Sequence, residues 1–540
     1  MNLSQNTIKV LIVGSGPGSV MAAQTLVESG AEVVMLDVGN TDNLYSSLIS
    51  GSESFVDLRE NDHHQHRFFL GDNFESVPRP EITTGAQLTP ARRHIIKDIE
   101  KFSPVLSDNF NPMESLALGG LGAGWGLGVY VYSAAELKKS GLPVDEMKSA
   151  YGIIAGRIGV SCGNDDVTPY LTGGLENVQQ PLSPDNSVEM MLRKYKSKKH
   201  WFKKKGISFG LPSMAILTED KNDRKATKYS DTDFYTDAGM SAWRPAFTVR
   251  MLKTKENFKY LKGKYVLKFS ESGNKISVET LDVISGKREI FEADKLLLGA
   301  GALGTARIVM RSLPVDSLPL LCNPYTYMPA VNISMLGKTL NKRKTSMAQA
   351  MMIYDPDGTE SDMVSVALYT YRSLLLMRLI QQSPLNIADN RVLFRWLQPA
   401  FVIAGIHHPD EYSEGRSLRL TEKKESLTGD ALKVEFDISQ QAKDKIQRRE
   451  KLISKALRKT GVFPLKRIDP GYGSSIHYGG TLPFDNTEVL GTTGTDGRVA
   501  GTGNVYTVDG SSFKYLPAKG ITFSIMANAH RIAENIAENG

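Results

Sequence analysis

Apolar residues near the start of the chain form two short runs, one on each side of a helical pattern. Residues 10–13 form the first run, and the glycine that follows bounds it, which predicts a short buried strand. Apolar side chains at helical spacing then occupy residues 22–27, and Gly30 is placed to end this helix. The second run, residues 32–36, leads into Asp37. A strand, a turn, a helix and a second strand in this order predict a βαβ unit.

The turn inside this unit is rich in glycine. Gly14, Gly16 and Gly18 would let the backbone approach a pyrophosphate that lies on the positive N-terminus of the helix. Asp37 stands where an acid would accept hydrogen bonds from the adenosine ribose. Ser19 occupies the third glycine position of the pattern, so we expect the helix to pack slightly farther from the sheet. The pattern predicts a dinucleotide site for FAD or NAD, and a βαβ unit that binds nothing is the alternative.

A second glycine-rich stretch surrounds Trp125. Residues 115–129 read SLALGGLGAGWGLGV and contain six glycines. A regular helix is excluded because each interior glycine costs ~1 kcal/mol relative to alanine. We favour a backbone that passes close to a flat ligand, with the indole as a packing anchor, over a flexible linker, since linkers rarely carry Leu, Trp and Val.

The middle of the chain predicts a second lobe and a return to the first. Residues 258–269 alternate and predict one strand, and residues 295–307 again join a strand to a glycine turn and a helix, so the cofactor domain is expected to be discontinuous. Apolar runs at 345–354, 363–371 and 392–406 indicate buried elements of another lobe. A structural helix is predicted at 439–460.

The C-terminal quarter carries the candidate chemistry. His477 lies in a glycine-rich turn, a strand ends at Asp509, and a helix begins at about Thr522. The N-terminus of a helix favours the electron-rich end of a reduced ring system. A histidine beside it can act as a general base because its ordinary pKa is about 6.5.

Composition and charge narrow the class of protein. The chain has 540 residues, 41% of them hydrophobic, and a net charge of +6 that is too diffuse to indicate nucleic acid. Two cysteines exclude a disulfide framework, and the sequence lacks both a signal peptide and an apolar run of ~18–20 residues, so we expect a cytoplasmic protein.

The histidines at 63, 64 and 66 favour a solvated loop over a metal site, and we expect no metal. The basic, aromatic segment 193–206 favours a solvated face, with peripheral contact to an anionic surface as the alternative.

Four segments together resemble the glucose–methanol–choline (GMC) family of flavin oxidoreductases. They are GSGPGS with Asp37, GGLGAGWG, GAGALGTARI, and HYGGT…NVYTVDGSSF…LPAKGITFSIMANAHRIA. The resemblance implies an α/β fold with an α+β second lobe: a discontinuous Rossmann-like FAD-binding domain (1–135, 251–312 and 466–540) and an inserted substrate-binding domain on an antiparallel sheet (136–250 and 313–465). The C-terminal segments IHYGGTLPF and LPAKGITF are most similar to the bacterial branch that modifies sugars and polysaccharides.

The resemblance also implies a set of cofactor-binding residues. FAD would be non-covalent, because Gly124 stands where some family members carry a histidine linked to the flavin. The pyrophosphate would lie on the first turn, adenine would meet the backbone of Val266, and Thr522 would lie at the pyrimidine end of the flavin. The residues expected to bind FAD are Gly14, Gly16, Pro17, Gly18, Ser19, Asp37, Gly119, Gly120, Gly124, Trp125, Gly126, Val266, Gly301, Asp509, Gly510, Gly520 and Thr522.

The implied activity is oxidation of a hydroxyl of a sugar or glycoside to a carbonyl. His477 matches the family's catalytic histidine, which takes the hydroxyl proton as hydride passes to flavin N5. The family's second active-site side chain is missing at Gly520, and Lys519 or Tyr478 would substitute for it. The alternatives are an FAD-retaining lyase or degenerate member of the fold, and an NAD-dependent dehydrogenase. The resemblance leaves the electron acceptor open.

Overall fold

The computed structural model describes residues 9–42, 63–64, 67, 71–72, 90–229, 239–339, 341, 347–370 and 383–539. Its helices are α1 Pro17–Glu28, α2 Ile99–Phe102, α3 Ala134–Ser140, α4 Val144–Ile158, α5 Thr168–Thr172, α6 Asn186–Ser197, α7 Lys199–Lys204, α8 Pro245–Leu252, α9 Ala302–Ser312, α10 Ile387–Leu397, α11 Gln440–Lys459 and α12 Thr522–Asn539. Short 3-10 turns span Pro90–Ile96, Gly120–Ala123, Ile333–Met335, Gln398–Ala400 and Gly510–Ser512.

The strands fall into several sheets. They are β1 Lys9–Val13, β2 Glu32–Asp37, β3 Val105–Leu106, β4 Ile207–Gly210, β5 Phe258–Lys262, β6 Lys264–Ser272, β7 Lys275–Asp282, β8 Arg288–Ala293, β9 Lys295–Leu298, β10 Leu321–Cys322, β11 Tyr325–Asn332, β12 Ala350–Tyr354, β13 Val364–Thr370, β14 Phe401–His407, β15 Asp410–Glu411, β16 Ser417–Glu422, β17 Asp430–Glu435, β18 Val462–Pro464, β19 Tyr478–Gly479, β20 Val505–Thr507 and β21 Tyr515–Leu516.

A five-stranded parallel sheet forms the first lobe, in the order β20-β9-β1-β2-β5. Its central strand β1 is apolar because helices cover one face and the β6-β7-β8 sheet with α9 covers the other. The predicted βαβ unit is confirmed, and α1 ends just before Gly30, whose φ of +93° suits a residue without a side chain. Because the strands are parallel, the loops that follow β1, β9 and β20 meet at one edge of the sheet.

A six-stranded antiparallel sheet forms the second lobe, in the order β18-β11-β14-β13-β12-β4. Helices α6, α7 and α11 pack on one face, and the predicted helix at 439–460 is confirmed as α11 with Ser439 as its N-cap. Along β11 every second residue is buried under these helices. Two of the alternate residues, Tyr325 and Tyr327, line a cavity between the two lobes.

Two features of the packing differ from the sequence-based expectations. The strand predicted at 258–269 is two strands in two different sheets, because Gly263 turns the chain with a φ of +84°. Helix α4 falls in the range 136–250 assigned to the second lobe, yet it packs on α12 of the first lobe. There the rings of Tyr151 and Phe523 stack with centroids 5.3 Å apart. None of the helices in the described ranges has the length and apolarity needed to cross a membrane.

Candidate active site

A cavity of about 650 Å³ lies between the edge of the parallel sheet and the antiparallel sheet of the second lobe. Most of the residues singled out in the sequence line it: Gly14, Gly16, Pro17, Gly18, Asp37, Gly120, Gly124, Trp125, Gly126, Val266, Gly301, His477, Tyr478, Asp509, Gly510, Gly520 and Thr522. Ser19, Gly119 and Lys519 are not among the lining residues. The four sequence segments that are far apart in the chain therefore meet around one space.

The first glycine turn is tightly enclosed by backbone. Gly14 has a φ of +81°, and a Cβ there would lie 2.8 Å from the carbonyl oxygen of Gly299. At Gly18 a Cβ would lie only 1.9 Å from the carbonyl oxygen of Val508. Helix α1 can therefore begin against the ends of β9 and β20 only with glycine at these positions. Its N-cap, Gly16, makes no side-chain capping hydrogen bond, so the first N–H groups of the helix remain available to an anion.

Ser19 is accommodated by its neighbour. Its hydroxyl lies 3.2 Å from the carbonyl oxygens of both Val13 and Gly299. A Cβ at Gly299 would lie 2.0 Å from the Ser19 oxygen, so the glycine at 299 makes the room that the sequence pattern expects at 19. Gly299, on the opposite side of the contact, thus accommodates Ser19 in place of the expected wider spacing between the helix and the sheet.

Asp37 joins the first turn to the second glycine-rich stretch. Its Oδ2 accepts hydrogen bonds from the hydroxyls of Ser15 (2.5 Å) and Tyr260 (2.8 Å). The Ser15 oxygen in turn accepts the backbone N–H of Gly119 at 2.8 Å. Burial raises the pKa of Asp37 to about 6. An acid held in this way at the end of β2 is a suitable acceptor for ligand hydroxyls.

The second glycine-rich stretch wraps over the start of α1. At Gly122 a Cβ would lie 2.7 Å from the rings of both Pro17 and Pro245, so this backbone approaches closely on two sides. Trp125 packs edge-on against Trp243 with ring centroids 6.0 Å apart, and its indole N–H donates to the carbonyl of Trp243 at 3.3 Å. The indole is anchored in protein, as the composition of the stretch indicates.

The third and fourth segments add a second uncapped helix start. Gly301 precedes α9 with a φ of +80° and gives it no side-chain cap. Asp509 accepts hydrogen bonds from Thr305 Oγ1 (2.6 Å) and from the backbone N–H of Ser511 (2.9 Å), and burial raises its pKa. Glycine-lined backbone, two open helix N-termini and two buried acids form a donor and acceptor set that fits a dinucleotide.

Asn323 holds His477 in one tautomer, with the proton on Nδ1. The Nδ1 of His477 lies 3.3 Å from Oδ1 of Asn323. The Asn323 amide nitrogen donates towards the carbonyl oxygens of His408 (2.8 Å), Leu516 (3.1 Å) and Pro517 (3.1 Å), which fixes the amide orientation. Asn323 must therefore accept a proton carried on Nδ1. The other ring nitrogen, Nε2, carries a lone pair and makes no hydrogen bond to any residue that the structure describes.

Register explains how these two residues meet. Strands β10 and β19 are antiparallel, with Cys322 opposite Tyr478, so the next residue of one strand faces the preceding residue of the other. Asn323 is buried, and no local pattern around it indicates this role. Desolvation lowers the pKa of His477 to about 4, so its imidazole is neutral near pH 7.

A second histidine lies beside the first. His407 ends β14, and its ring stacks on His477 with centroids 4.9 Å apart and an interplanar angle of 21°. Burial, together with His477 and His408, lowers the pKa of His407 well below its ordinary value. Nothing in the local sequence pattern around His407 connects it with residue 477, so this histidine is not predictable from the sequence.

The two side chains expected to substitute at position 520 are engaged elsewhere. The Tyr478 hydroxyl donates to the carbonyl of Gly473 at 2.6 Å and accepts the N–H of Met113 at 2.8 Å. The Lys519 ammonium is buried and donates to Glu136 (2.8 Å) and to the carbonyl of Val131 (2.9 Å). Neither side chain is free to replace the missing group, and Lys519 does not reach the cavity.

The cavity beyond His477 is lined mainly by aromatic and apolar side chains of the second lobe. They are Tyr130, Tyr325, Tyr327, Met347, Met351, Tyr369 and Ile403. Several hydroxyls there are already committed: Ser365 donates to Ala518 O at 2.5 Å, and Thr370 donates to Asp185 at 2.7 Å. We call this end of the space the aromatic chamber.

The basic segment 193–206 lies away from the cavity. It forms the end of α6 and all of α7, where Phe202 is buried against Tyr195 with ring centroids 4.9 Å apart. Lys199 pairs with Asp166 at 2.8 Å. Its aromatic residues therefore serve the core of the second lobe, and contact with an anionic surface stays a prediction. Of the histidines at 63, 64 and 66, His66 lies outside the described residues. Among the residues that are described, no group of three or more His, Cys, Asp or Glu side chains could hold a metal ion.

The chain matches no model of a protein family, and no curated protein is similar to it. Two solved structures nevertheless match almost its whole length. A pyridoxine 4-oxidase from Mesorbium loti has a TM-score of 0.56 at 13% sequence identity, over 98% of this chain and 99% of that one. An FAD-dependent oxidoreductase from Chaetomium thermophilum, solved with a butanamide fragment, has a TM-score of 0.60 at 12% identity, over 99% of both chains. This chain has their fold. Membership of the GMC family stays a prediction at these identities.

Proposed function

We propose that this protein is a flavoenzyme that binds one FAD non-covalently and oxidises a hydroxyl group to a carbonyl. The observation that carries the proposal is a neutral histidine, His477, whose Nε2 faces the cavity between the lobes. The same cavity contains the glycine turns at 14–18 and 120–126, Asp37, Gly301 and Asp509, which we call the dinucleotide cradle. The likeness to two FAD-dependent oxidoreductase folds supports it. Gly124 offers no side chain for a covalent link to the flavin.

We infer from the resemblance and from this geometry which part of the cofactor each segment would hold. The first turn and the N-terminus of α1 would hold the pyrophosphate, and Asp37 would hold the adenosine ribose. The stretch from Gly119 to Gly126 would run along the flavin, and the N-terminus of α12 at Thr522 would lie at its pyrimidine end. Asp509 and Gly510 would contact the pyrophosphate or the ribityl chain.

Bound FAD would supply the hydride acceptor. The residues of the chain manage the proton. Asn323 keeps a proton on Nδ1 of His477, so the Nε2 lone pair is the acceptor for the proton of the substrate hydroxyl. With a pKa of about 4, His477 is unprotonated through the neutral range and needs no activation before substrate binds.

We infer the chemical class of the substrate from the lining of the aromatic chamber. A sugar, the substrate expected from the resemblance, carries several hydroxyls that each need a hydrogen-bond partner when buried. The chamber wall is built mainly of rings and thioethers, and the hydroxyls of Ser365 and Thr370 are already donated to protein acceptors. We therefore propose a hydroxyl compound with a flat and largely apolar body. Pyridoxine, which names the enzyme of the first neighbour, is an aromatic alcohol.

The test combines cofactor release with an alcohol panel. We expect the purified protein to show flavin absorbance that passes into the supernatant after acid precipitation. Under anaerobic conditions, benzyl alcohol should bleach the bound flavin more efficiently than glucose or a methyl glycoside, with the aldehyde as product. Preferential bleaching by the sugars would overturn the proposed substrate class.

A second candidate, an FAD-retaining protein without alcohol oxidation, rests on the glycine at position 520. It would gain support if FAD is retained and no alcohol on the panel bleaches it. A colourless protein that cannot be reconstituted with FAD would exclude both candidates and would favour the NAD-dependent alternative.

A further inference from the structure

Position 520 cannot supply a polar side chain to the reaction. A Cβ on Gly520 would lie 3.1 and 3.2 Å from two ring carbons of Tyr130, so this tyrosine fills the space beside it. The Tyr130 hydroxyl points to the sulfur of Met351 at 3.6 Å. With Tyr478 and Lys519 engaged elsewhere, a second polar group beside His477 must come from another element.

His407 is held rigidly at that place. It ends β14 in the middle of the antiparallel sheet, where its backbone pairs with Tyr325 of β11 and with Ser365 of β13. Its ring packs against Tyr325, with centroids 4.7 Å apart, as well as against His477. A ring packed against two others on a central strand has little freedom to leave the cavity wall.

The ring nitrogens of His407 are available to a ligand. The ring is half-buried and lines the cavity, and within the described ranges neither nitrogen makes a hydrogen bond. A neutral imidazole offers one N–H donor and one acceptor. Because the low pKa of His407 keeps it neutral near pH 7, its N–H is a donor that does not repel a proton arriving on His477.

We propose that His407 is a second catalytic residue of this site, where its N–H holds the substrate oxygen beside His477 and replaces the side chain that position 520 lacks. The inference rests on the proposed oxidation of a hydroxyl. In that step the O–H proton would pass to Nε2 of His477 and a C=O bond would form as the C–H bond breaks, with bound FAD supplying the acceptor for the hydride. The N–H of His407 stabilises the oxygen as its proton leaves.

The test separates binding of the hydroxyl from chemistry. The probe is 2-phenyl-2-propanol, which has no hydrogen on its carbinol carbon and cannot be oxidised to a carbonyl, and its partner is isopropylbenzene, which lacks the hydroxyl. Calorimetric titration of the FAD-loaded protein measures both. His407→Phe keeps a flat ring in the stack and removes the N–H. His407→Asn keeps a donor and serves as the rescue variant.

We expect His407→Phe to weaken binding of the tertiary alcohol by about 3- to 10-fold and to leave isopropylbenzene within about twofold of wild type. His407→Asn should restore part of the difference. The rate at which benzyl alcohol bleaches the flavin should fall by ~10²-fold in His407→Phe. Retained FAD absorbance in each variant checks that it is folded.

Several results would overturn the inference. One is a His407→Phe variant that binds both ligands and reacts with benzyl alcohol as the wild type does, since His407 would then be only a wall of the aromatic chamber. Another is a His407→Phe variant that weakens binding of both ligands by the same factor, since the loss would then not depend on the hydroxyl. If His407→Phe weakens binding of the tertiary alcohol alone but no alcohol bleaches the flavin of the wild type, the proposed oxidation fails while His407 stands as a hydroxyl-binding residue.

Discussion

Replacing Asn323 with leucine should slow oxidation without removing the cofactor. Leucine has a similar branched shape and no polar atoms, so Asn323→Leu removes the acceptor of the Nδ1 proton of His477. It also removes the three donor contacts of 2.8, 3.1 and 3.1 Å to backbone carbonyls. The amide has two N–H groups to share among these carbonyls, so with the bond accepted from His477 the variant loses about three hydrogen bonds, and at about 1 kcal/mol for each the free energy of unfolding should fall by about 3 kcal/mol.

The effect on rate follows from the histidine. Without an acceptor on Nδ1, His477 can turn or carry its proton on Nε2, where it cannot accept another. Misplacement of a reacting group by about 1 Å costs up to ~10²-fold in rate, and we expect a loss of that order in anaerobic flavin bleaching by benzyl alcohol. FAD content should be unchanged, because residue 323 does not line the cradle.

Asn323→Asp is the matched control. The aspartate keeps an acceptor for Nδ1–H, but its second oxygen faces the three carbonyl oxygens, so Asn323→Asp should also lose stability. Its carboxylate beside His477 favours the charged imidazole and raises its pKa above about 4. In the wild type the rate should fall only as pH drops through about 4, whereas in Asn323→Asp this decline should begin at a higher pH. A folded Asn323→Leu variant with the wild-type rate, together with an unmoved pH profile in Asn323→Asp, would refute the role assigned to Asn323.

Two further predictions concern the cradle. Gly18→Ala should abolish FAD retention, because its Cβ would lie 1.9 Å from Val508 O, whereas Gly152→Ala in α4, where a Cβ meets nothing within 4 Å, should retain FAD; equal flavin content in the two variants would contradict this geometry. Asp37→Asn should raise the unfolding free energy of the FAD-free protein at pH 7 by up to about 3 kcal/mol, because a carboxyl whose pKa is raised from 3.8 to about 6 in the folded state destabilises that state increasingly as pH rises from about 4 to about 6. This gain in unfolding free energy should vanish near pH 4, and the affinity for FAD should fall. Thermal melts at pH 7 and pH 4 measure the first effect, and a flavin titration measures the second. A gain that is the same at both pH values would contradict the raised pKa of Asp37.

The local sequence predicts the elements of the first lobe more completely than those of the second. The βαβ unit, the end of α1 before Gly30 and the helix at 439–460 depend on spacing within one segment, and the structure confirms them. The pattern at 258–269 predicts one strand where the structure has two, because alternation continues through Gly263 while the backbone turns there. Periodicity reports which face of an element is buried, but it does not report which sheet the element joins.

The candidate site was predictable where a segment carries its own chemistry, and less so where contacts are made between segments. His477 stands out in its glycine-rich turn. Asn323 reaches it only through the register of two-residue strands, and His407 reaches it only through the central strands of the other lobe. Lys519 looked available in the sequence, yet a buried partner 383 residues away in the chain, Glu136, holds it. These relations depend on tertiary packing and leave no local pattern.

The role of His477 as the acceptor of the hydroxyl proton is tested most directly by comparing the wild type with His477→Ala in anaerobic single-turnover experiments. Both proteins should retain FAD, and benzyl alcohol should bleach the flavin of the wild type. In His477→Ala the bleaching should be slower by ~10²–10⁴-fold, because the acceptor for the hydroxyl proton is gone. A His477→Ala protein that bleaches at the wild-type rate would contradict the account.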